Sequence, residues 1–134
     1  MMETFSLKSS RCSELIDITD KVQLLVSKSG VSSGVCFVFI PHTTAGITIN
    51  ENADPSVRSD IEQELESIVP FEHGYSHSEG NSAAHIKASL MGFSVTLLIE
   101  SGRLQLGTWQ GIYFAEFDGP RTRKVWVKIL ANVV

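Results

Sequence analysis

Residues 34–50 read GVCFVFIPHTTAGITIN, and this stretch decides the fold class. Residues 34–40 are rich in β-branched and aromatic side chains, which favour a strand. Pro41 interrupts the run, because proline cannot donate to a sheet ladder. Residues 45–50 then alternate apolar and polar side chains, the pattern of a strand with one buried face. The stretch therefore predicts two strands that flank His42.

Further segments predict strands, and four of them follow one another toward the C-terminus. These segments are residues 4–10, 14–18, 93–100, 104–108, 111–117 and 122–133. The last four are joined by turn sequences at 101–103 and 118–121, so we expect a C-terminal antiparallel meander. Seven or eight strands with segregated helices predict an α+β fold, a largely antiparallel two-layer β-sandwich. So many apolar strands also leave surface that oligomerisation would cover.

The clearest helix begins after Asp54, a good N-cap residue, with Pro55 at the first helical position. It ends before Pro70. Apolar residues at spacings of four, four and three predict its buried face: Val57, Ile61, Leu65 and Ile68. The acidic residues between them are expected to form a solvated surface.

Two shorter helices are predicted as well. Thr19 or Asp20 can cap the first, which stops at Gly30. Its inward residues are expected to be Val22, Leu25 and Val26. Asn81 can cap the second, which runs to about residue 91 before Gly92. On that helix one face is expected to hold Ala83, Ile86 and Leu90, with His85 pointing nearly opposite, toward water or a site.

Length and composition restrict the functional classes. A chain of 134 residues with 43% hydrophobic and 19% charged residues is typical of one globular domain, here residues 1–134. The net charge of −4 argues against nucleic acid and anionic membranes as partners. The N-terminal sequence lacks an apolar leader, so we expect a cytoplasmic protein. Cys36, inside an apolar run, is expected to be a buried free thiol.

Motifs of several enzyme classes are missing from the sequence. There is no glycine-rich phosphate cradle, no Cys-x-x-Cys pair and no Gly-x-Ser-x-Gly elbow. Nucleotide hydrolysis, thiol redox chemistry and serine-hydrolase activity therefore have no motif to support them.

Three histidines lie among small, neutral residues that need no histidine for folding: His42, His77 and His85. Imidazole is a common ligand of borderline metals and titrates near neutral pH, so the pattern points to chemistry. Three neutral imidazoles and a water would form an open zinc site that lowers the pKa of the water to about 7. The alternative is histidines hydrogen-bonded in loops, and His73 is interpreted as a loop residue of this kind.

Other polar residues could complete such a site. Glu116 is the first candidate for an acceptor behind a metal-bound histidine or for a general base, with Glu51 and Asp118 as substitutes. Alternatively, Glu116 pairs with Arg121 or Arg123.

The basic C-terminal segment could bind a small anion. Arg121 follows a Gly-Pro turn and could grip phosphate or carboxylate, unless it pairs with Asp118. Short neutral donors could orient a polar substrate: Thr43, Thr44, Asn81 and Gln110. Thr43 and Thr44 could instead only close the turn after Pro41. Trp109 is interpreted as core or subunit interface.

The sequence resembles the YjbQ-like family, a family of uncharacterised proteins also labelled secondary thiamine-phosphate synthase. The resemblance rests on five blocks in order: residues 42–46, 50–55, 77–85, 106–110 and 116–121. It implies a compact α+β domain that assembles into a homotrimer. It also implies a histidine cluster for a divalent metal, with ligands His42, His77 and His85.

Together these features favour a metal-dependent enzyme acting on a small phosphorylated or anionic metabolite. The metal expected is Zn²⁺, or Mg²⁺ if the thiamine-phosphate reaction suggested by the family label takes place, because a pyrophosphate leaving group usually requires Mg²⁺ with oxygen ligands. Hydrolysis by metal-bound water suits the same residues. The competing hypothesis is a trimeric metal- or metabolite-binding protein without turnover.

Overall fold

A computed structural model describes residues 2–132, which form eight strands and three helices. The strands are β1 (Met2–Lys8), β2 (Glu14–Asp17), β3 (Gly34–Phe39), β4 (Ala45–Glu51), β5 (Ser94–Glu100), β6 (Arg103–Leu104), β7 (Gln110–Glu116) and β8 (Thr122–Ala131). The helices are α1 (Thr19–Ser29), α2 (Pro55–Ile68) and α3 (Ser82–Met91). Residue 133, which we predicted to end the last strand, lies outside the described residues.

The strands form two antiparallel sheets, which confirms the predicted α+β sandwich. The larger sheet has the order β1-β8-β3-β5-β6, and the smaller one has the order β2-β7-β4. The predicted C-terminal meander is wrong, because β7 leaves β5 and β6 to pair with β2 and β4. β8 then returns to the larger sheet, where it lies between β1 and β3.

Burial of β7 on both faces explains why it lies apart from its sequence neighbours. Ile112 and Phe114 point into the main core between the sheets. Tyr113, Ala115 and Phe117 belong to a second core, formed with α2 and α3. A strand covered on both sides reads as a continuous apolar run, so its alternation cannot reveal which sheet it joins.

Helix boundaries were predicted more accurately than helix faces. Gly30 ends α1 in the left-handed conformation with φ 73°, and Asp54 caps α2 through a hydrogen bond from Ser56 N–H, as predicted. The capping of α1 by Thr19 or Asp20 is wrong: its N-cap residue is Ile18, and Asp17 accepts from the N–H of Thr19.

The predicted inward face of α2 is confirmed for Ile61 and Leu65, which pack against the second core, but not for Ile68, and the face of α3 differs from the predicted one. Ile68 of α2 is 63% exposed. In α3, Ile86 and Leu90 are also exposed, and the inward residues are Ala83, Ala84, Lys87 and Ala88. Small alanines bring α3 close to the smaller sheet, and the ammonium of buried Lys87 pairs with Glu66 of α2. An inward lysine breaks the apolar pattern on which the prediction of the face was based.

The hairpin of β5 and β6 turns at Ser101 and Gly102, both with positive φ, as the turn sequence predicted. The strand predicted over 104–108 is wrong, however, since β6 ends at Leu104.

The outer face of the larger sheet carries exposed aromatic side chains. Phe39 and Trp126 are paired across β3 and β8, and their rings stack with centroids 5.7 Å apart. Phe37, on the same face, is 41% exposed.

Both cysteines are free thiols, and Cys36 is buried as predicted, whereas Cys12 is exposed. None of the three helices within residues 2–132 combines the length and apolar character that a membrane crossing requires.

Candidate functional site

A cleft of about 1020 Å³ opens at one edge of the sandwich. At this edge β3 ends and β8 begins in the larger sheet, while β4 begins and β7 ends in the smaller one. The loop of residues 71–80 and the first turn of α3 complete the wall. Three of the four histidines of the chain line the cleft: His42, His77 and His85. The structure therefore brings together the histidines that the sequence singled out, although they come from three separate segments.

His42 lies in the loop between β3 and β4, and its two ring nitrogens have different roles: Nε2 accepts a hydrogen bond and Nδ1 can donate one. Its Nε2 accepts from the backbone N–H of Lys124 at 2.9 Å, so that nitrogen carries no proton. Burial, and then the charge of Arg123, lower the pKa of His42 below its ordinary value. The ring is therefore neutral at pH 7, with its proton on Nδ1. In this arrangement neither nitrogen of His42 offers a free lone pair to a metal.

His77 and His85 face each other across the cleft wall. Their ring centroids are 5.7 Å apart and their planes are nearly perpendicular, at 86°. Nε2 of His77 also lies 3.9 Å from Oε2 of Glu79, which is too long for a hydrogen bond. Among residues 2–132, no group of three or more His, Cys, Asp or Glu side chains lies close enough together to hold a metal ion. The three-histidine metal site therefore stays a prediction.

Glu116 lies beneath the cleft and is fully buried. It accepts hydrogen bonds from Arg123 Nε at 2.8 Å and from Ser9 Oγ at 2.7 Å, and Arg123 Nη2 donates to it as well. Burial alone would raise the pKa of Glu116, but the bonds from Arg123, Ser9 and the N–H of Asp118 outweigh it and lower the pKa. Glu116 is thus an ionised carboxylate committed to Arg123, the alternative pairing that the sequence allowed. Its role as general base stays untested.

Arg121 and Asp118 form a second ion pair at the cleft. Arg121 donates from Nε to the Asp118 carbonyl at 2.8 Å and from Nη2 to the carboxylate at 3.0 Å. The same carboxylate accepts from Nδ2 of Asn81 at 2.9 Å, which orients that amide. Arg121 and Asn81 therefore lie at the cleft, as expected of substrate-binding residues, but Arg121 is largely committed to Asp118.

The remaining predicted substrate-binding residues divide into two places. Thr43 and Thr44 line the cleft, and buried Thr44 accepts from Arg123 Nη2 through its hydroxyl and its carbonyl. Gln110 is at the opposite end of β7 from Glu116, about 20 Å away along a strand of this length. There it accepts from the N–H of Gly107, beside Trp109, which is 62% exposed. Gln110 does not belong to this cleft within one chain.

His73 lies outside the cleft, near the ring of Tyr75, in agreement with its interpretation as a loop residue.

The sequence analysis named Arg123 only as a possible partner of Glu116 and did not assign it to the site, although it is the most buried cation of the cleft, with only 3% exposure. A signal was present, because Arg123 shares the inward side of β8 with Val125 and Val127. A charged residue in an inward position requires a buried partner, and Glu116 lies seven residues earlier. Ser9, which bonds Glu116 across 107 residues of sequence, had no such signal.

Two packed antiparallel sheets with three helices, and a histidine-lined cleft at one edge, define a small α+β sandwich protein with a polar binding site. A family model described as "UPF0047 protein YjbQ-like" matches residues 3–132. The chain belongs to this UPF0047 (YjbQ-like) family, which confirms the resemblance inferred from the sequence blocks.

Relatives and solved structures match almost end to end. UPF0047 protein YugU of Bacillus subtilis is 50% identical over 131 residues, which cover 97% of this chain and 99% of that protein. A UPF0047 protein of Methanocaldococcus jannaschii is 51% identical, covering 98% of this chain and 96% of its own. The crystal structure of an uncharacterized conserved protein of the YjbQ/UPF0047 family from Clostridium acetobutylicum matches with a TM-score of 0.94 at 61% identity, covering 96% of this chain and 99% of that one.

Proposed function

We propose that this protein is an enzyme that binds a small anionic, phosphorylated metabolite in the histidine cleft, with a divalent metal ion held by His77 and His85. The observation that carries the proposal is the convergence of His42, His77 and His85, from three segments of the chain, on one cleft. Histidines needed only for loop hydrogen bonds have no reason to meet in this way. The cleft also contains Arg121 and Arg123, which supply positive charge for an anion.

The donor set fits a metal in part. With Zn–N bonds of about 2.1 Å in a tetrahedral site, two imidazole centroids stand about 5 Å apart, close to the 5.7 Å between His77 and His85. His42 does not fit as the third ligand, since Nε2 is used by Lys124 N–H and Nδ1 carries the proton. A metal bound at His77 and His85 would supply a Lewis acid with open positions for water or substrate. His42 would donate its Nδ1–H to the bound metabolite.

The cleft has features that suit a metabolite with both an anionic and an apolar part. Phe39, Phe71 and Phe93 line it together with the polar residues. Thr43, which is exposed, and the ring of His42 supply neutral donors. The thiamine-phosphate reaction suggested by the family label stays a prediction, and assays with the corresponding pyrimidine and thiazole phosphates would test it directly.

Metal analysis of tag-free protein tests the proposal. We expect about one transition metal per chain after incubation with Zn²⁺ and desalting, and its loss in His77→Ala and His85→Ala. His73→Ala is the matched control, because it removes an imidazole from the same part of the chain but outside the cleft. Wild-type protein that retains no zinc, manganese or nickel would contradict the metal part of the proposal.

One observation favours the second candidate, a metabolite-binding protein without turnover. Glu116 was the first choice for a general base, yet its oxygens are occupied by Arg123, Ser9 and backbone N–H groups. A binding protein needs no such base. The two candidates can be separated by measuring both binding, by calorimetry, and turnover for one set of small phosphate monoesters. Binding without any product over a long incubation would favour the binding protein.

We also propose that the protein self-associates into the trimer that the resemblance implied. The exposed aromatic face of the larger sheet, with Phe37, Phe39 and Trp126, supports this, because apolar surface of this kind usually meets a partner. Light scattering should give about three times the chain mass of 14.7 kDa.

The two free thiols of the protein support the proposal of a cytoplasmic location.

A further inference from the structure

Two of the three guanidinium nitrogens of Arg123, Nε and Nη2, are hydrogen-bonded to the protein, whereas the third, Nη1, has no partner among residues 2–132. Its Nε donates to both oxygens of Glu116, and its Nη2 donates to Thr44 and Glu116. Nη1 donates to no atom of residues 2–132. Among these residues, the fully buried side-chain nitrogen or oxygen that lacks a hydrogen-bond partner is Oδ1 of Asn81. Nη1 of Arg123 also lacks a partner, so it is not fully buried and is in contact with solvent. Because Arg123 lines the cleft, the N–H groups of Nη1 are available there.

The N-cap residue of α3, Asn81, lies on the same cleft, and the N–H that follows it is a free donor. Asn81 and His85, one turn apart, both line the cleft. Asn81 gives its Nδ2 to Asp118 and does not cap the helix with its side chain. The N–H of Ser82, the first residue of α3, donates to no atom of residues 2–132, and Ser82 is half-buried, whereas the next residue, Ala83, is fully buried. Free N–H groups at a helix N-terminus attract anions.

Hydrogen bonds tie these two donor groups together. Asn81 donates to the Asp118 carboxylate, the N–H of Asp118 donates to Glu116, and Glu116 holds Arg123. A guanidinium and a helix N-terminus fixed by one network cost little to reorganise when a ligand arrives.

The negative charges nearby are largely compensated. Glu116 is fully buried with its oxygens engaged, and Asp118 is neutralised by Arg121 and also accepts a hydrogen bond from Asn81. Glu79 is exposed at the rim of the cleft. Arg121 is the less suitable anion ligand, because two of its nitrogens are already bound to Asp118.

From this geometry we propose that Arg123 Nη1 and the N-terminal turn of α3 form the subsite for the phosphate group of the ligand. The oxygens of a phosphate are arranged tetrahedrally and can accept from the guanidinium and from the Ser82 N–H in different directions, whereas the two oxygens of a carboxylate lie in one plane. Glu116 acts as a positioning residue that keeps Arg123 in place. The inference rests on the proposed function, for which it names the ligand group and the residue that binds it.

Calorimetric titration with inorganic phosphate at constant ionic strength tests the subsite. Arg123→Met should lower the affinity for phosphate about tenfold or more, the effect of losing a charge-assisted hydrogen bond. Lys128→Met is the matched control: it removes one positive charge from the same strand, but from its exposed side, and should change affinity less than about twofold. Arg121→Met should have the smaller effect of the two cleft arginines.

Arg123→Met leaves Glu116 buried without a partner, so a second variant is needed in case it fails to fold. Arg123→Met/Glu116→Leu removes both charges and leaves no unpaired ion. A folded double variant that binds phosphate like the wild type would overturn the subsite. If neither variant folds, a structure of the wild type with phosphate decides, because a phosphate oxygen bonded to Nη1 supports the subsite and a phosphate elsewhere overturns it.

The outcomes also separate this inference from the proposed function. Wild-type protein that binds malonate but no phosphate at saturation would overturn the subsite while leaving an anionic ligand in the cleft. Loss of zinc from His77→Ala and His85→Ala tests the metal part of the proposed function and does not depend on whether phosphate or malonate binds.

Discussion

Arg123 and Glu116 form a two-pronged ion pair at 3% and 0% exposure, across two strands that belong to different sheets. The pair joins the start of β8 to the end of β7 directly beneath the cleft. Breaking a buried pair costs more than forming it contributes, because the remaining charge has no water around it.

Glu116→Gln should therefore destabilise the fold by about 3–5 kcal/mol, the usual cost of removing one partner of a buried pair. Urea denaturation followed by circular dichroism measures this. Arg123→Met/Glu116→Leu should lose less, because no charge is left alone. If Glu116→Gln has the stability of the wild type but lacks catalytic turnover, Glu116 acts as a base and not as a structural partner.

Acid should weaken the protein through the same carboxylate. The folded state lowers the pKa of Glu116 below its ordinary value of 4.5, so its contribution to stability is complete above pH 4.5. As the pH falls through the lower pKa of the folded state, this contribution is lost. As the pH is lowered below 4.5, the wild type should thus lose more stability than the double variant, which lacks the group. Equal slopes of unfolding free energy against pH would contradict the assignment.

The two thiols should react at different rates. Burial raises the pKa of Cys36 to about 11, and the side chain is fully buried. Cys12 is exposed, although burial of its thiol and the charge of Asp118 raise its pKa as well. Native protein should react with one equivalent of a thiol reagent at alkaline pH, and with a second only in denaturant. Cys12→Ser should abolish the native reaction, and rapid labelling of Cys36 would contradict its burial.

Gly46 allows α3 to end against β4. A Cβ atom at this position would lie 2.6 Å from the backbone oxygen of Gly92, which also accepts from the N–H of Ile47. Gly46→Ala should cost about 1–3 kcal/mol, as overpacking against backbone usually does. Gly107→Ala is a suitable control, since the atoms nearest to its new methyl group would be those of the Gln110 side chain, at 3.2 Å or more, and not backbone. Thermal unfolding of both variants makes the comparison.

Lys87 offers the opposite case, a buried charge that can be replaced. Its partner Glu66 is about half exposed and can return to water when the lysine is removed. Lys87→Met keeps the volume of the side chain and should change stability by less than about 1.5 kcal/mol. Lys87→Ala should cost more, because it leaves a cavity between α3 and Phe117. A large loss in Lys87→Met would show that the ion pair itself stabilises the fold.

Local patterns predicted the strands well because each depends on its own residues. The pairing of β7 with β2 and β4 depends on which layers cover its two faces, and no local pattern contains that information. The residues that form β4 were therefore predicted correctly, because their own alternation indicates a strand, whereas the predicted meander was wrong, because it required knowledge of the strand pairing.

The sequence predicted which histidines meet in one cleft, but it did not predict that Arg123 lies there with them. His42, His77 and His85 were conspicuous among small residues, and they do meet in space. Arg121 was assigned to anion binding because it follows a Gly-Pro turn, whereas Arg123 was considered only as a partner of Glu116, although the strand alternation places it inward. The state of His42 could not be predicted, since it depends on the backbone N–H of Lys124, 82 residues away.

The position of β8 between β1 and β3 has a consequence for biosynthesis. β1 emerges first from the ribosome, yet β8 is its only neighbour in the sheet among residues 2–132. A nascent chain that has not yet released residues 122–131 cannot complete the larger sheet or pair Arg123 with Glu116. Completion of the larger sheet must therefore wait until synthesis has passed these residues, and until then β1 and β3 lack the strand that separates them.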